Sequence, residues 1–156
     1  MKEGKILFSE SGKLVIIRII GKGSWVESKY FLEFCKKKME EGKKVVVDLS
    51  ECNLLDSTFL GILAYLSIHY QKIQIFQPQE RVEKSIKTLG LEKILKKVRI
   101  SLSPNKEKEL KGGKLSPQDR ARLLYLAHKT IVDVSPDNLP KFKDLLELLE
   151  EESGKI

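Results

Sequence analysis

The segment of residues 45–70, VVVDLSECNLLDSTFLGILAYLSIHY, constrains the fold more than any other part of the sequence. Its first three residues, the valines at 45–47, show no polar alternation, which is typical of a short strand covered on both faces in a parallel or mixed sheet. A short polar loop follows at 50–53, and apolar residues then recur at helical spacing. Asp56 or Ser57 is suited to begin this helix, because a side-chain oxygen there accepts an unpaired backbone N–H. The segment therefore predicts a strand, a loop and a helix.

The rest of the first hundred residues also alternates between Val/Ile-rich runs and helical spacing. Ser24, with Glu27 three residues later, predicts a capping box that opens a helix. Strands that alternate with helices imply right-handed crossovers, which bury one face of the sheet under the helices. We predict strands at 5–8, 14–20, 45–47, 73–76 and 98–100, and helices at 24–41, 57–69 and 79–89.

The composition changes after residue 103. Residues 104–115 have the proline, glycine and charge content of a linker. Beyond them, Ser116 followed by Pro117 is a strong helix start, and two runs of helical spacing follow. Two short helices bury too little apolar surface to be stable alone. We therefore predict a first domain at 1–103, a linker at 104–115, and a helical hairpin at 116–156 that docks on the first domain or on another chain.

The formal net charge of +7 is carried entirely by residues 1–103, which hold 19 Lys and Arg against 12 Asp and Glu. A basic surface attracts nucleic acid, anionic lipid or acidic proteins. The lysine runs, however, lie at the ends of predicted helices, where cations compensate the helix dipole. Aromatic residues are too scattered to form a stacking platform for nucleic acid. We expect a cytoplasmic protein that does not insert into a membrane, and nucleic-acid binding is a disfavoured alternative.

The side chains that most often perform catalysis or bind metals are isolated from one another in the sequence. Cys35 and Cys52 have neither CxxC spacing nor a neighbouring histidine, so we interpret them as reduced, partly buried thiols. His69 and His128 have no ligand at metal-binding spacing, and we interpret both as surface or helix-end histidines. The sequence shows no triad spacing and no glycine-rich nucleotide loop. We predict no enzyme activity, no metal and no cofactor.

A short motif in the central segment resembles that of a known family. Asp-Leu-Ser at 48–50, followed by apolar residues, by Asp-Ser-Thr at 56–58 and by Leu60-Gly61, resembles the signature of STAS domains, the family of bacterial anti-sigma-factor antagonists. The resemblance covers roughly residues 5–103. It implies an α/β fold with a mixed sheet of four to five strands and helices on one face, to which the C-terminal αα-hairpin is added. The tail is similar to an extension found after some STAS domains.

The resemblance implies a regulatory binding module rather than an enzyme. Its partner would be an anti-sigma factor with serine-kinase activity, which binds the unmodified domain and releases it after phosphorylation. In this family the phosphorylated residue is the serine after the aspartate, here Ser57, and Thr58 is the alternative acceptor. A helix N-terminus tolerates an anion, so a phosphate there would switch binding without unfolding the domain. The predicted partner-binding residues are Ser24, Asp48, Asp56, Ser57, Thr58 and Phe59.

Two positions depart from the family pattern. Ser24 occupies the place nearest to an aspartate that well-known STAS domains have beside the switch serine. Phe59 stands where many members have glycine, and it either anchors a partner, obstructs a kinase or belongs to the core. Two other functions are alternatives to the kinase-regulated antagonist. One is a STAS scaffold or lipid-transport accessory module without a kinase cycle, and the other is a basic nucleic-acid-binding protein. Self-association through the C-terminal hairpin is a further possibility.

Overall fold

The computed structural model describes residues 4–99 and 106–152. Its strands form a sheet in the order β6-β5-β3-β2-β1-β7, and β4 pairs with the end of β2. In chain order, the elements are β1 (Lys5–Ser11), β2 (Leu14–Gly23), α1 (Trp25–Glu40), β3 (Lys44–Asp48), β4 (Cys52–Leu55), α2 (Ser57–His69), β5 (Gln74–Phe76), α3 (Glu80–Thr88), β6 (Lys96–Val98), β7 (Lys108–Leu110), α4 (Pro117–Val134), a 3-10 turn (Pro136–Asn138) and α5 (Leu139–Glu152).

The side chains that alternate between the two faces of β2 show where the core lies. Val15, Ile17 and Ile19 point to one face of the sheet, and they join the same buried core as Phe31 of α1 and Phe59 of α2. The valines of β3 are at most 1% exposed, which confirms a strand covered on both faces. β1 and β7 run antiparallel to their neighbours, while β3, β5 and β6 continue the sheet in parallel. The predicted α/β class with a mixed sheet is confirmed.

The described residues form seven strands, so the prediction of four to five is too low. β4 begins within the predicted polar loop and continues two residues beyond it, and it pairs with the bulged end of β2 at Gly21 and Gly23. β7 lies inside the predicted linker, where Leu110 pairs with Ile6. Both strands have only three or four residues, and such short runs show no alternation that separates a strand from a loop.

The C-terminal part of the sheet differs from its prediction in position. β6 ends at Val98, two residues before the predicted end of the last strand, and Ile100 lies outside the described residues. The predicted boundary between the first domain and the linker also falls outside them, so that division stays a prediction. Beyond this gap, Glu107 binds Arg18 of β2, with an Nη2–Oε1 distance of 2.7 Å. The predicted linker is therefore attached to the sheet by an ion pair and by β7.

The starts of α1 and α4 follow the capping signals in the sequence. The Ser24 hydroxyl accepts a backbone N–H, and the Ser24 N–H donates to the Glu27 carboxylate at 2.9 Å, which completes the predicted capping box. Ser116 caps α4 by accepting the N–H of Asp119 at 3.1 Å, with Pro117 at the first helical position. Gly42 follows the end of α1, and its φ of +81° is a left-handed conformation that glycine adopts more easily than other residues.

The C-terminal helices pack on the helices of the sheet region, which is one of the two predicted docking sites. A β-carbon built on Gly61 of α2 would lie 2.4 Å from the carbonyl oxygen of Ala127 in α4, so the two backbones are in close contact. Ile131 and Phe142 belong to the same buried core as the sheet. The Asn138 amide donates to the Leu89 carbonyl at 2.9 Å and attaches the turn before α5 to the end of α3. Association with a second chain stays a prediction.

Candidate functional site

Asp56 connects the starts of two helices. It caps α2, because its Oδ1 accepts the N–H of Phe59 at 2.8 Å. Its Oδ2 accepts the N–H of Trp25, the first residue of α1, at 2.9 Å. The carboxylate therefore satisfies an unpaired donor at each helix start, where a negative charge is favourable. Ser57 follows as the first residue of α2.

The Ser57 hydroxyl is held by a histidine from the C-terminal helices. Ser57 Oγ lies 2.8 Å from Nε2 of His128, which is in the middle of α4. The other ring nitrogen, Nδ1, lies 2.7 Å from the Leu124 carbonyl oxygen. Since a carbonyl oxygen only accepts hydrogen bonds, Nδ1 carries the proton, and the neutral ring accepts the Ser57 hydroxyl hydrogen at Nε2. Two elements that are 71 positions apart thus meet at the predicted phosphorylation site.

The surroundings of His128 favour its neutral form. The residue is 2% exposed, and its ring packs edge-on against Phe142 of α5 with centroids 4.8 Å apart. Burial lowers the pKa of His128, against smaller opposing effects from the Leu124 carbonyl and the Asp56 carboxylate. At pH 7 the ring is therefore neutral, which is the state that accepts the Ser57 hydroxyl.

The interpretation of His128 as a surface or helix-end histidine is wrong. His128 lies four positions after Leu124 and three before Ile131, so helical spacing places it on the apolar face of α4. That spacing was the available signal of burial. No local pattern indicates that its partner is Ser57. His69, by contrast, lies exposed in the last turn of α2, as expected.

Four of the six predicted partner-binding residues have buried side chains. Phe59 is fully buried and packs against Phe31 with ring centroids 4.7 Å apart, so of its three predicted roles the structure shows the core one. Thr58 is 4% exposed. Ser24 is the buried cap of α1, and Asp48 accepts the N–H of Ser50 at 2.9 Å. These four residues are buried rather than exposed at the surface, and their role in partner binding stays a prediction.

Asp56 and Ser57 remain partly exposed, and Ser57 opens into a cleft between α3 and α5. This cleft, which we call the Ser57 cleft, has a volume of about 470 Å³. Its walls include Ser57, Arg81, Lys84, Thr88, Lys141 and Phe142. Ser57 therefore bonds α4 through its hydroxyl and also lines the cleft.

The remaining titratable side chains offer little for catalysis. Among the described residues, no group of three or more His, Cys, Asp or Glu side chains has an arrangement that holds a metal ion. Cys35 and Cys52 are both buried, and burial raises the pKa of Cys52 to about 11. A thiol with so high a pKa is a poor nucleophile at neutral pH. Within the same parts of the chain, no helix is long and apolar enough to span a membrane.

Comparisons with known proteins identify the family. No curated protein sequence matches the chain. Among solved structures, one titled "Structure of the Anti-Sigma Factor Antagonist SpoIIAA in its Unphosphorylated Form" matches with a TM-score of 0.45 and 13% sequence identity, over 60% of this chain and 88% of that one. The family model described as "STAS domain" matches residues 5–106, well over half of the chain. This match includes β1 to β6, Asp56 and Ser57 and ends before α4. The chain therefore belongs to the STAS domain family.

Proposed function

We propose that this protein is an anti-sigma-factor antagonist, which binds an anti-sigma factor with serine-kinase activity and is switched by phosphorylation of Ser57. The observation that supports this most directly is the position of Ser57. It lies in the first turn of α2 directly after the Asp56 cap, partly exposed and open to a cleft, whereas the alternative acceptor Thr58 is buried. The protein would act as the kinase's substrate rather than as an enzyme, and this function requires a cytoplasmic location.

The site offers a physical basis for the switch. Transfer of the γ-phosphoryl group of ATP to Ser57 Oγ, with loss of the hydroxyl proton, adds about −1.5 to −2 charge. The unpaired N–H groups at the start of α2 tolerate this charge, so the fold survives. At an interface, the same charge beside the Asp56 carboxylate repels an acidic partner surface. Phosphorylation would therefore change binding without unfolding the sheet.

The test of this proposal is phosphorylation by the cognate kinase with ATP, followed by mapping of the phosphate by mass spectrometry. We expect phosphate on Ser57, its loss in Ser57→Ala and its retention in the matched control Thr58→Val. Ser57→Asp should bind the kinase at least about tenfold more weakly than Ser57→Ala, because a fixed negative charge mimics part of the phosphate. If Ser57 stays unmodified and the two variants bind equally, the switch does not exist.

A second candidate function is a STAS scaffold without a kinase cycle. The hydrogen bond between Ser57 and His128 favours it, because the hydroxyl is already used inside the protein. In that case the unmodified surface would bind its partner constitutively. Ser57→Ala would then retain full function in cells, whereas loss of regulation in Ser57→Ala would support the kinase cycle.

A further inference from the structure

The Ser57 cleft gathers positive charge from two separate parts of the chain. Arg81 and Lys84 are three positions apart on α3 and therefore share one face of that helix. Lys141 approaches from α5, on the other side of the cleft. Ser85 and Thr88 also line the walls, and their hydroxyls donate to backbone carbonyls of α3. The cleft thus combines three cations with hydrogen-bonding groups beside Ser57.

The three cations of the cleft take part in no close ion pair with a described residue. Within residues 4–99 and 106–152, no ion pair of 4.0 Å or less includes Arg81, Lys84 or Lys141. The carboxylate nearest to Ser57 in sequence, Asp56, already accepts two backbone N–H groups. Like charges that line one cleft repel one another, so an anion bound between them lowers the electrostatic energy.

The chemistry of the Ser57–His128 contact shows why a phosphate would move toward these cations. The neutral His128 ring accepts the hydroxyl hydrogen of Ser57, and esterification removes that hydrogen. The Nε2 lone pair would then face a phosphate-bearing oxygen with no proton between them. The side of Ser57 that opens into the cleft offers Arg81, Lys84 and Lys141 instead.

We propose that the Ser57 cleft is a phosphate-monoester site, which receives the phosphoryl group carried by Ser57 and joins α5 to α3 through it. The inference rests on the proposed phosphorylation of Ser57, but it concerns where the phosphate binds rather than which kinase attaches it. Because Lys141 belongs to the C-terminal helices, the modified serine would hold those helices in place. The phosphorylated chain would therefore have a more firmly docked α5 than the unmodified chain.

The experiment uses the full chain with phosphoserine incorporated genetically at position 57, so that no kinase is needed. The second pKa of the phosphate is followed by phosphorus NMR and compared with that of a phosphoserine peptide of residues 54–60. Cations near a phosphate favour its dianion, so we expect the pKa in the protein to be lower by about one unit. Asp56 and a neutral His128 are the groups that oppose this direction.

Matched variants show whether the cleft is responsible. Arg81→Gln, Lys84→Gln and Lys141→Gln should each raise the phosphate pKa toward the peptide value. Lys87→Gln on α3 and Lys143→Gln on α5 remove exposed cations outside the cleft, and they should leave the pKa unchanged. A phosphate pKa equal to that of the peptide, or one that all five variants change equally, overturns the proposal. This result would leave the kinase switch itself untouched.

Two further measurements separate this site from its alternatives. Backbone hydrogen exchange in α5 should be at least about threefold slower in the phosphoserine chain than in the unmodified chain, because the phosphate joins α5 to α3. Equal or faster exchange would mean that the phosphate does not hold α5, and would overturn the proposal. Phenyl phosphate is titrated into the unmodified chain as the free-ligand control. If it binds in the cleft while phosphoserine 57 shows no pKa change, the cleft binds free phosphate esters, and the assignment to Ser57 is overturned.

Discussion

One buried polar side chain in the sheet region at 5–99 and one in the C-terminal helices at 117–152 find their partners in different ways. In the sheet region, the buried Ser24 finds its partner in Glu27, three positions away. In the C-terminal helices, Nε2 of the buried His128 bonds the hydroxyl of Ser57, 71 positions away. The first arrangement stabilises one helix start. The second connects the helices to the candidate site, so changes at either end affect the other.

The two regions also share one core, and the largest effect is expected when they are separated. Removal of residues 111–156 keeps β7 but exposes the face of α2 that packs against α4. Each large apolar side chain returned to water costs about 1.5–3 kcal/mol, so we expect a loss of about 3 kcal/mol or more. Thermal melting and sedimentation should show a lower melting temperature or a new oligomeric state. Unaltered melting and sedimentation would show that the helices are independent of the sheet region.

A single methyl group at the helix contact should have the next largest effect. Gly61→Ala places a β-carbon 2.4 Å from the Ala127 carbonyl oxygen, so α4 has to move. Overpacking of this kind costs about 1–3 kcal/mol, partly offset by about 1 kcal/mol of helix propensity gained over glycine. Urea denaturation measures the difference. Gly113→Ala is the control, because no atom lies within 4 Å of its added β-carbon. Equal stability of the two variants would show that the close contact is relaxed at no cost.

The pH dependence of stability tests the burial of His128. Burial lowers the pKa of His128 in the folded chain, so the unfolded chain binds more protons below about pH 6.5. Stability should therefore be complete well above pH 6.5 and fall as the pH drops below about 6.5, by up to about 1.4 kcal/mol per pH unit. Urea denaturation at several pH values measures this slope. His128→Gln should remove it, and the exposed control His69→Gln should retain it. The same slope in both variants would assign the dependence to other groups.

The last pair of variants contrasts Ser24 of the sheet region with Ser57, which bonds His128 of the C-terminal helices. Ser24→Ala removes a capping box and should cost about 1 kcal/mol. Ser57→Ala leaves the His128 Nε2 buried without a donor and should cost about 1–3 kcal/mol at most. A double-mutant cycle distinguishes them: Ser57→Ala should couple to His128→Gln, and Ser24→Ala should not. Coupling of both serines to His128, or of neither, would remove the distinction between the regions.

Local patterns predicted most of the fold because the interactions behind them are local. The valines of β3, the capping box at Ser24 and the cap at Ser116 each depend on neighbours within a few residues. Ser57 was identified as the candidate site by resemblance, and the Asp56 cap places it in the first turn of α2. The short strands β4 and β7 were missed, because three or four residues pair only where another strand is present.

The sequence by itself determined the family, the alternation of strands and helices, and the presence of two C-terminal helices. Tertiary structure alone decided what those helices contact. The apolar face of α4 predicts that the helix is buried but not what it packs against. Hydrophobic packing is not directional, so any apolar surface of suitable shape can cover that face. The close fit of Gly61 against Ala127 and the bond between Ser57 and His128 depend on the positions of whole helices. For that reason the contact that covers the candidate site is a property of the folded chain and of no single segment.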